Sequence, residues 1–177
     1  MITIDQEAMA LNAADISRRY QMWNTWNLSA SETVDHIFEW VRSVAEGSAR
    51  GKLRNLVINC HGAPGYLQMG VGGLARSNVG WFGRWRDKID KIWLTACKPG
   101  FIQDAGQPSD GNLFISEIAR AANCYVVAST ETQIFRANHT YPFGQIDSFE
   151  GLVLSYAPDG SVSWSHRYDS HWSGNRE

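Results

Sequence analysis

Three short apolar runs punctuate the chain: Leu56-Val57-Ile58-Asn59-Cys60, Ile92-Trp93-Leu94-Thr95-Ala96 and Cys124-Tyr125-Val126-Val127-Ala128. They are too short for helices and show little alternation, which predicts strands buried on both faces. Before the first run, Val34, Ile37, Phe38, Val41 and Val44 recur at helical spacing. Ser29 or Ser31 is placed to cap that helix, Glu32 falls in its first turn and Gly47 ends the pattern. Asp110 is placed to cap a second helix carrying Leu113, Phe114, Ile118 and Ala122. Trp81 to Ile89 and Ala8 to Arg19 read as further helices, Tyr20 to Trp26 as a strand, and Tyr66 to Gly70 as a short hairpin arm. Near the end, Leu152–Tyr156 and Val162–Trp164 flank Pro158-Asp159-Gly160, and Asp-Gly between apolar runs signals a hairpin.

Strands alternating with helices predict an α/β fold: a mostly parallel central sheet, helices on both faces, and a C-terminal antiparallel hairpin. No linker, repeat or low-complexity segment divides the sequence, so residues 1–177 are read as one domain. With 44% hydrophobic and 19% charged residues, the chain can bury a core and is not of disordered composition. The formal net charge of -2 supplies no basic field, so no nucleic-acid partner is expected. No apolar run approaches the roughly 20 residues of a membrane helix, so no membrane partner is expected either. The segment Met1 to Glu7 lacks a basic start and an apolar stretch, which points to a cytoplasmic location, with export through a non-cleaved signal still compatible.

Cys60, Cys97 and Cys124 are widely spaced and form no C-x-x-C pair, which argues against a disulfide framework or a zinc knuckle. No cofactor is expected. His166 and His171, with Asp169 between them, are a weak metal pattern on a tail that reads as solvated. Of the 8 Trp residues most are expected in the core, leaving a minority free to line a groove.

In parallel sheets ligands bind at the carboxyl ends of the strands. His61 and Cys97 each follow an apolar run by one residue, so neighbouring parallel strands would present both on one sheet edge. An imidazole beside a thiol is an activated-nucleophile arrangement. Taken singly, each residue is more often structural. Both at equivalent strand ends make a dyad the better reading. The N–H groups of Gly62 and Cys97 are candidates for an oxyanion hole. Alternation turns Cys60 away from His61 and under a helix, and Cys124 reads as structural.

The segment Asn55-Leu56-Val57-Ile58-Asn59-Cys60-His61-Gly62, followed by Lys91-Ile92-Trp93-Leu94-Thr95-Ala96-Cys97, resembles the paired signature of the caspase-like cysteine peptidases, which include caspases, gingipains, clostripain and separase. The stretch from His61 to Cys97, continuing through Gly111–Arg120 and Tyr125–Thr130, is most similar to a bacterial caspase-like domain of large surface proteins, often without an assigned function. The resemblance covers roughly residues 53–131. It implies a caspase-like three-layer sandwich, with Cys97 as nucleophile, His61 as general base and acid, Gly62 as oxyanion-hole glycine and no required third member. It also implies that the strand end Ala128-Ser129-Thr130 flanks the primary specificity pocket, which makes Ser129, Thr130 and Glu131 the expected substrate-binding residues.

The expected function is therefore a cysteine endopeptidase acting on a peptide or protein substrate. The alternatives are a caspase-like binding or assembly module without turnover, and the same dyad acting on an ester or another amide. Ala96-Cys97-Lys98-Pro99-Gly100 departs from the local signature of true caspases, and no Arg that would read an acidic side chain can be placed. Substrate preference and oligomeric state stay open. Asp104, Asp110 and Glu131 near the edge would favour Arg or Lys in the substrate. The plainer reading is solvated carboxylates, with Asp110 as a helix cap. The loop from Gln103 to Gly111 either shapes the groove or is a connector.

Overall fold

A computed structural model describes residues 1–134 and 137–169. In chain order the elements are β1 (Ile2–Thr3), β2 (Ala8–Asn12), β3 (Asn24–Asn27), α1 (Val34–Gly47), β4 (Leu53–Asn59), β5 (His61–Ala63), β6 (Tyr66–Gln68), β7 (Leu74–Ala75), a 3-10 helix (Arg76–Trp85), β8 (Ile89–Leu94), α2 (Gly111–Ala122), β9 (Tyr125–Ser129), β10 (Gln145–Ile146), β11 (Gly151–Tyr156) and β12 (Val162–Tyr168). Seven strands form one sheet in the order β12-β11-β9-β8-β4-β2-β3. The five strands from β9 to β3 run parallel, and β11 and β12 are antiparallel. A mostly parallel sheet closed by a C-terminal hairpin is thus present. Two small sheets accompany it, β1-β10 and β5-β6-β7.

The helices do not lie on both faces. Ile37 and Phe38 of α1, Phe82 and Trp85 of the 3-10 helix, and Phe114 and Ile118 of α2 all join one core with Leu56, Ile58 and Ile92. The opposite face carries Ala10, Val57, Val127 and Val153, covered by irregular segments through Tyr20, Met22, Tyr141 and Phe149. Crossover handedness explains the asymmetry. The connections β3→β4, β4→β8 and β8→β9 step in the same direction across the sheet, so right-handed crossovers place all three on one face. Only β2→β3 steps backward, and its connection, which contains no helix, falls on the other face.

The N-terminal helix expected over Ala8–Arg19 is instead strand β2, every residue of which is buried. Its place between β3 and β4 overrides the helix propensity of Ala, Met and Leu. The strand expected at Tyr20–Trp26 is confined to Asn24–Asn27. Helix α1 is capped by Thr33 rather than by Ser29 or Ser31: the Thr33 Oγ1 accepts from the His36 N–H at 3.2 Å. The helix expected at Trp81–Ile89 is a 3-10 helix ending at Trp85, with Ile89 already in β8. Gly80 and Gly83 lie inside it, where they weaken an α-helix. Only Trp85 of the described tryptophans is fully enclosed, stacked on Phe38 at 4.0 Å. Trp23, Trp40 and Trp164 are exposed, because Ala, Val, Ile and Leu fill the sheet interior and leave the large indoles at its margins. Among the described residues no helix is long and apolar enough to cross a membrane.

Asp110 is the N-cap of α2, accepting from the Leu113 N–H at 3.0 Å and the Gly106 N–H at 2.8 Å. Burial works against its charge, but those N–H bonds prevail and hold the carboxyl below its usual range. Asp110→Ala is expected to cost about 1 kcal/mol at pH 7. A depressed carboxyl stabilises the fold above its unfolded value of about 4, and that contribution is lost as pH falls through the folded value. Thermal melts of the two proteins should therefore converge in acid. A gap that widens below pH 4 would disprove the cap's ionic contribution.

Candidate active site

Strands β4 and β8 are parallel neighbours, with Ile58 opposite Leu94 and the Thr95 N–H donating to the Ile58 carbonyl at 3.0 Å. Their carboxyl ends coincide, so the segments bearing His61 and Cys97 leave the same sheet edge. The two segments crowd together at Gly62. A Cβ there would lie 2.8 Å from the Cys97 carbonyl oxygen, 2.9 Å from the Ala96 Cβ and 3.3 Å from the Cys97 nitrogen. Only a residue without a side chain lets these two backbones touch.

His61 opens β5 and projects into solvent. Its Nε2 lies 3.9 Å from Asp15 Oδ2, and the same carboxylate oxygen accepts from Gln68 Nε2 at 3.0 Å. Cys97 is half-buried, and its thiol donates to the Gln133 carbonyl at 3.6 Å. Gln133 is itself clamped: its Nε2 donates to Ser129 Oγ at 2.8 Å and the Glu150 carbonyl at 3.0 Å, and its Oε1 accepts from the Glu150 N–H. Arg18, 2% exposed, donates from Nη2 at 2.5 Å to the carbonyl of Thr95, two residues before Cys97. Burial lowers its pKa, while attraction to Tyr20 and Cys97 opposes that shift. The Arg18 guanidinium and the Cys97 thiol are thus electrostatically linked.

Among the described residues neither expected oxyanion donor is committed to an acceptor. The turn joining Ala63 to Tyr66 makes those two residues a hydrogen-bonded pair, so alternation along the ladder turns the Gly62 N–H away from β6. The Cys97 N–H has no acceptor among the described residues. Cys60 and Cys124 offer no competing nucleophile, because burial pushes their thiols up to about 12.

The expected substrate residues divide. Thr130 and Glu131 line a cleft of about 550 Å³ together with Lys98, Phe101, Thr132 and Arg167. Ser129 is fully buried, and its hydroxyl is taken up by Glu150, Gln133 and Glu131, so its side chain holds the loop rather than facing the cleft. Glu131 is held below the usual carboxylate range by the Leu152 N–H and by Arg167, whose Nη1 is 2.6 Å away. Asp104 bonds Ser109, Asp110 caps α2, and neither lines the cleft. With Lys98 and Arg167 beside it, Glu131 does not make this an acidic pocket.

Asp15, Arg18 and Gln133 were not singled out from the sequence. Reading Ala8–Asn12 as a strand would have placed the first two in a strand-end loop on the same edge. Among the described residues no three His, Cys, Asp or Glu side chains are grouped to hold a metal, and His171 lies outside the described residues. Comparison with family models, with curated proteins and with solved structures finds no match to this chain. What the site can do therefore rests on its own residues.

Proposed function

We propose that the protein is a caspase-like cysteine endopeptidase working through Cys97 and His61. The observation that carries the reading is the contact of Gly62 with the Cys97 backbone at the joined carboxyl ends of β4 and β8. His61 takes the thiol proton, and the sulfur adds to the peptide carbonyl carbon. The Gly62 and Cys97 N–H groups bind the oxyanion that forms. Collapse breaks the C–N bond, and the imidazolium gives its proton to the leaving amine. Water, deprotonated by His61, then adds to the thioester. Expulsion of the sulfur releases the carboxylic acid and restores the thiol. Asp15, 3.9 Å from His61 Nε2, favours the imidazolium that forms, and the Lys98–Glu131–Arg167 cleft receives a side chain of the substrate.

A peptide library varied at the cleavage position tests this directly. The expected result is cleavage of a subset of peptides that disappears in His61→Ala. No cleavage of any peptide, together with no labelling of Cys97 by acyloxymethyl ketones, would overturn it. One observation favours the second reading, a binding module of the same architecture without turnover: the Cys97 thiol is occupied by the Gln133 carbonyl.

A further inference from the structure

At the lateral edge of the sheet, strand β3 and helix α1 border a cleft of about 370 Å³ lined by Asn24, Thr25, Trp26, His36 and Trp40. Three of those five residues are aromatic. The ring centroids lie 5.2 Å apart for Trp26–His36, 6.1 Å for Trp26–Trp40 and 6.5 Å for His36–Trp40, with mutual tilts of 70°, 60° and 67°. At those separations a single group can sit within about 6 Å of all three centroids, the range over which a ring face attracts a cation. Glu32 adds negative charge to the same corner, its Oε1 2.5 Å from His36 Nδ1.

Elsewhere along α1 the protein itself places a cation between a ring and a carboxylate. The Arg84 guanidinium lies over Trp81 at 4.4 Å, with its Nη1 2.7 Å from Asp35 of α1. At Trp26 and Trp40 the rings and the carboxylate are in place. Among the described residues no Lys or Arg lies over either ring. Trp40 is 47% exposed, although its indole would be better hidden.

We infer that this cleft binds an alkylated ammonium group. Alkylation is what the walls select. A bare ammonium brings three N–H donors that ring faces cannot satisfy; Thr25 Oγ1 is already engaged by Met22 and Glu32 Oε1 by His36, which leaves the Asn24 amide oxygen as a single acceptor for three donors. A quaternary group brings none and covers the rings with methyls, so it gains both cation–π attraction and apolar burial. The group can arrive as a free quaternary amine or on a methylated lysine side chain. The site is separate from Cys97 and does not depend on the peptidase reading.

The test is an NMR titration of the intact protein at constant ionic strength, following the indole N–H signals of Trp26 and Trp40. The probes are choline, a short peptide bearing trimethyl-lysine, and the neutral isostere 3,3-dimethylbutan-1-ol. Choline or the methylated peptide should give saturable shifts, and whichever binds more tightly identifies the source. The isostere should bind about tenfold more weakly. Trp40→Ala should lose the response, and Trp40→Phe should keep part of it. Equal binding of the isostere would reduce the cleft to an apolar hollow, and the absence of any saturable shift with both cations would also overturn the inference.

Discussion

A Cys97→Ala protein is expected to take no acyloxymethyl ketone label and to cleave no peptide, yet to melt within a few degrees of the parent. Among the described residues the thiol makes one weak bond, to the Gln133 carbonyl, and it sits only half-buried. Its removal should cost about 1 kcal/mol or less, a melting shift of roughly 2–4 °C for a chain of this size. Gln133 keeps its place without it, through Ser129 and Glu150. No other thiol can take over, since Cys60 and Cys124 are buried and protonated at any working pH. Mass-spectrometric mapping of the label, alongside the melt, separates loss of chemistry from loss of fold. Turnover at the parent rate in this variant would refute the nucleophile assignment.

Gly62→Ala should do the opposite, damaging structure and chemistry together. The added methyl would meet the Cys97 carbonyl oxygen, the Cys97 nitrogen and the Ala96 Cβ, two of them backbone atoms that cannot swing aside. The segments after β4 and β8 must part, at a cost of about 1–3 kcal/mol. Under the proposed mechanism the displaced N–H groups would no longer meet one oxyanion, and loss of a single such donor lowers turnover by roughly a hundredfold or more. Gly80→Ala is the matched control, because a Cβ there meets nothing within 4 Å. Labelling of Gly62→Ala at the parent rate would show that the close approach serves packing alone.

What the sequence made legible follows from how locally each feature is determined. Strands β4, β8 and β9 each contain a short apolar run that composition alone marks, and Asp110 marks the start of α2 because a cap is a contact within one turn. From strand ends marked in that way, His61 and Cys97 could be nominated. Strand β2 was misread because Ala8-Met9-Ala10-Leu11 is intrinsically helical, and only the flanking strands make it extended. That one misreading hid Asp15 and Arg18, which reach the site from the loop after β2. The one-sided placement of the helices depends on the direction of each crossover, and thus on strand order, which no local pattern encodes.

The β12 rim has a bearing on solubility. Almost every residue of that strand is exposed, and a flat, fully exposed outer strand invites another chain to zip onto it. Two features resist this. The register shifts at Ser155/Tyr156, and such a bulge adds local twist that spoils a straight template. Ser163, Ser165, His166 and Arg167 then set polar and basic groups around the exposed Val162 and Trp164, breaking up what would otherwise be a sticky ribbon. Shape and charge together guard this border of the molecule against fibrous association.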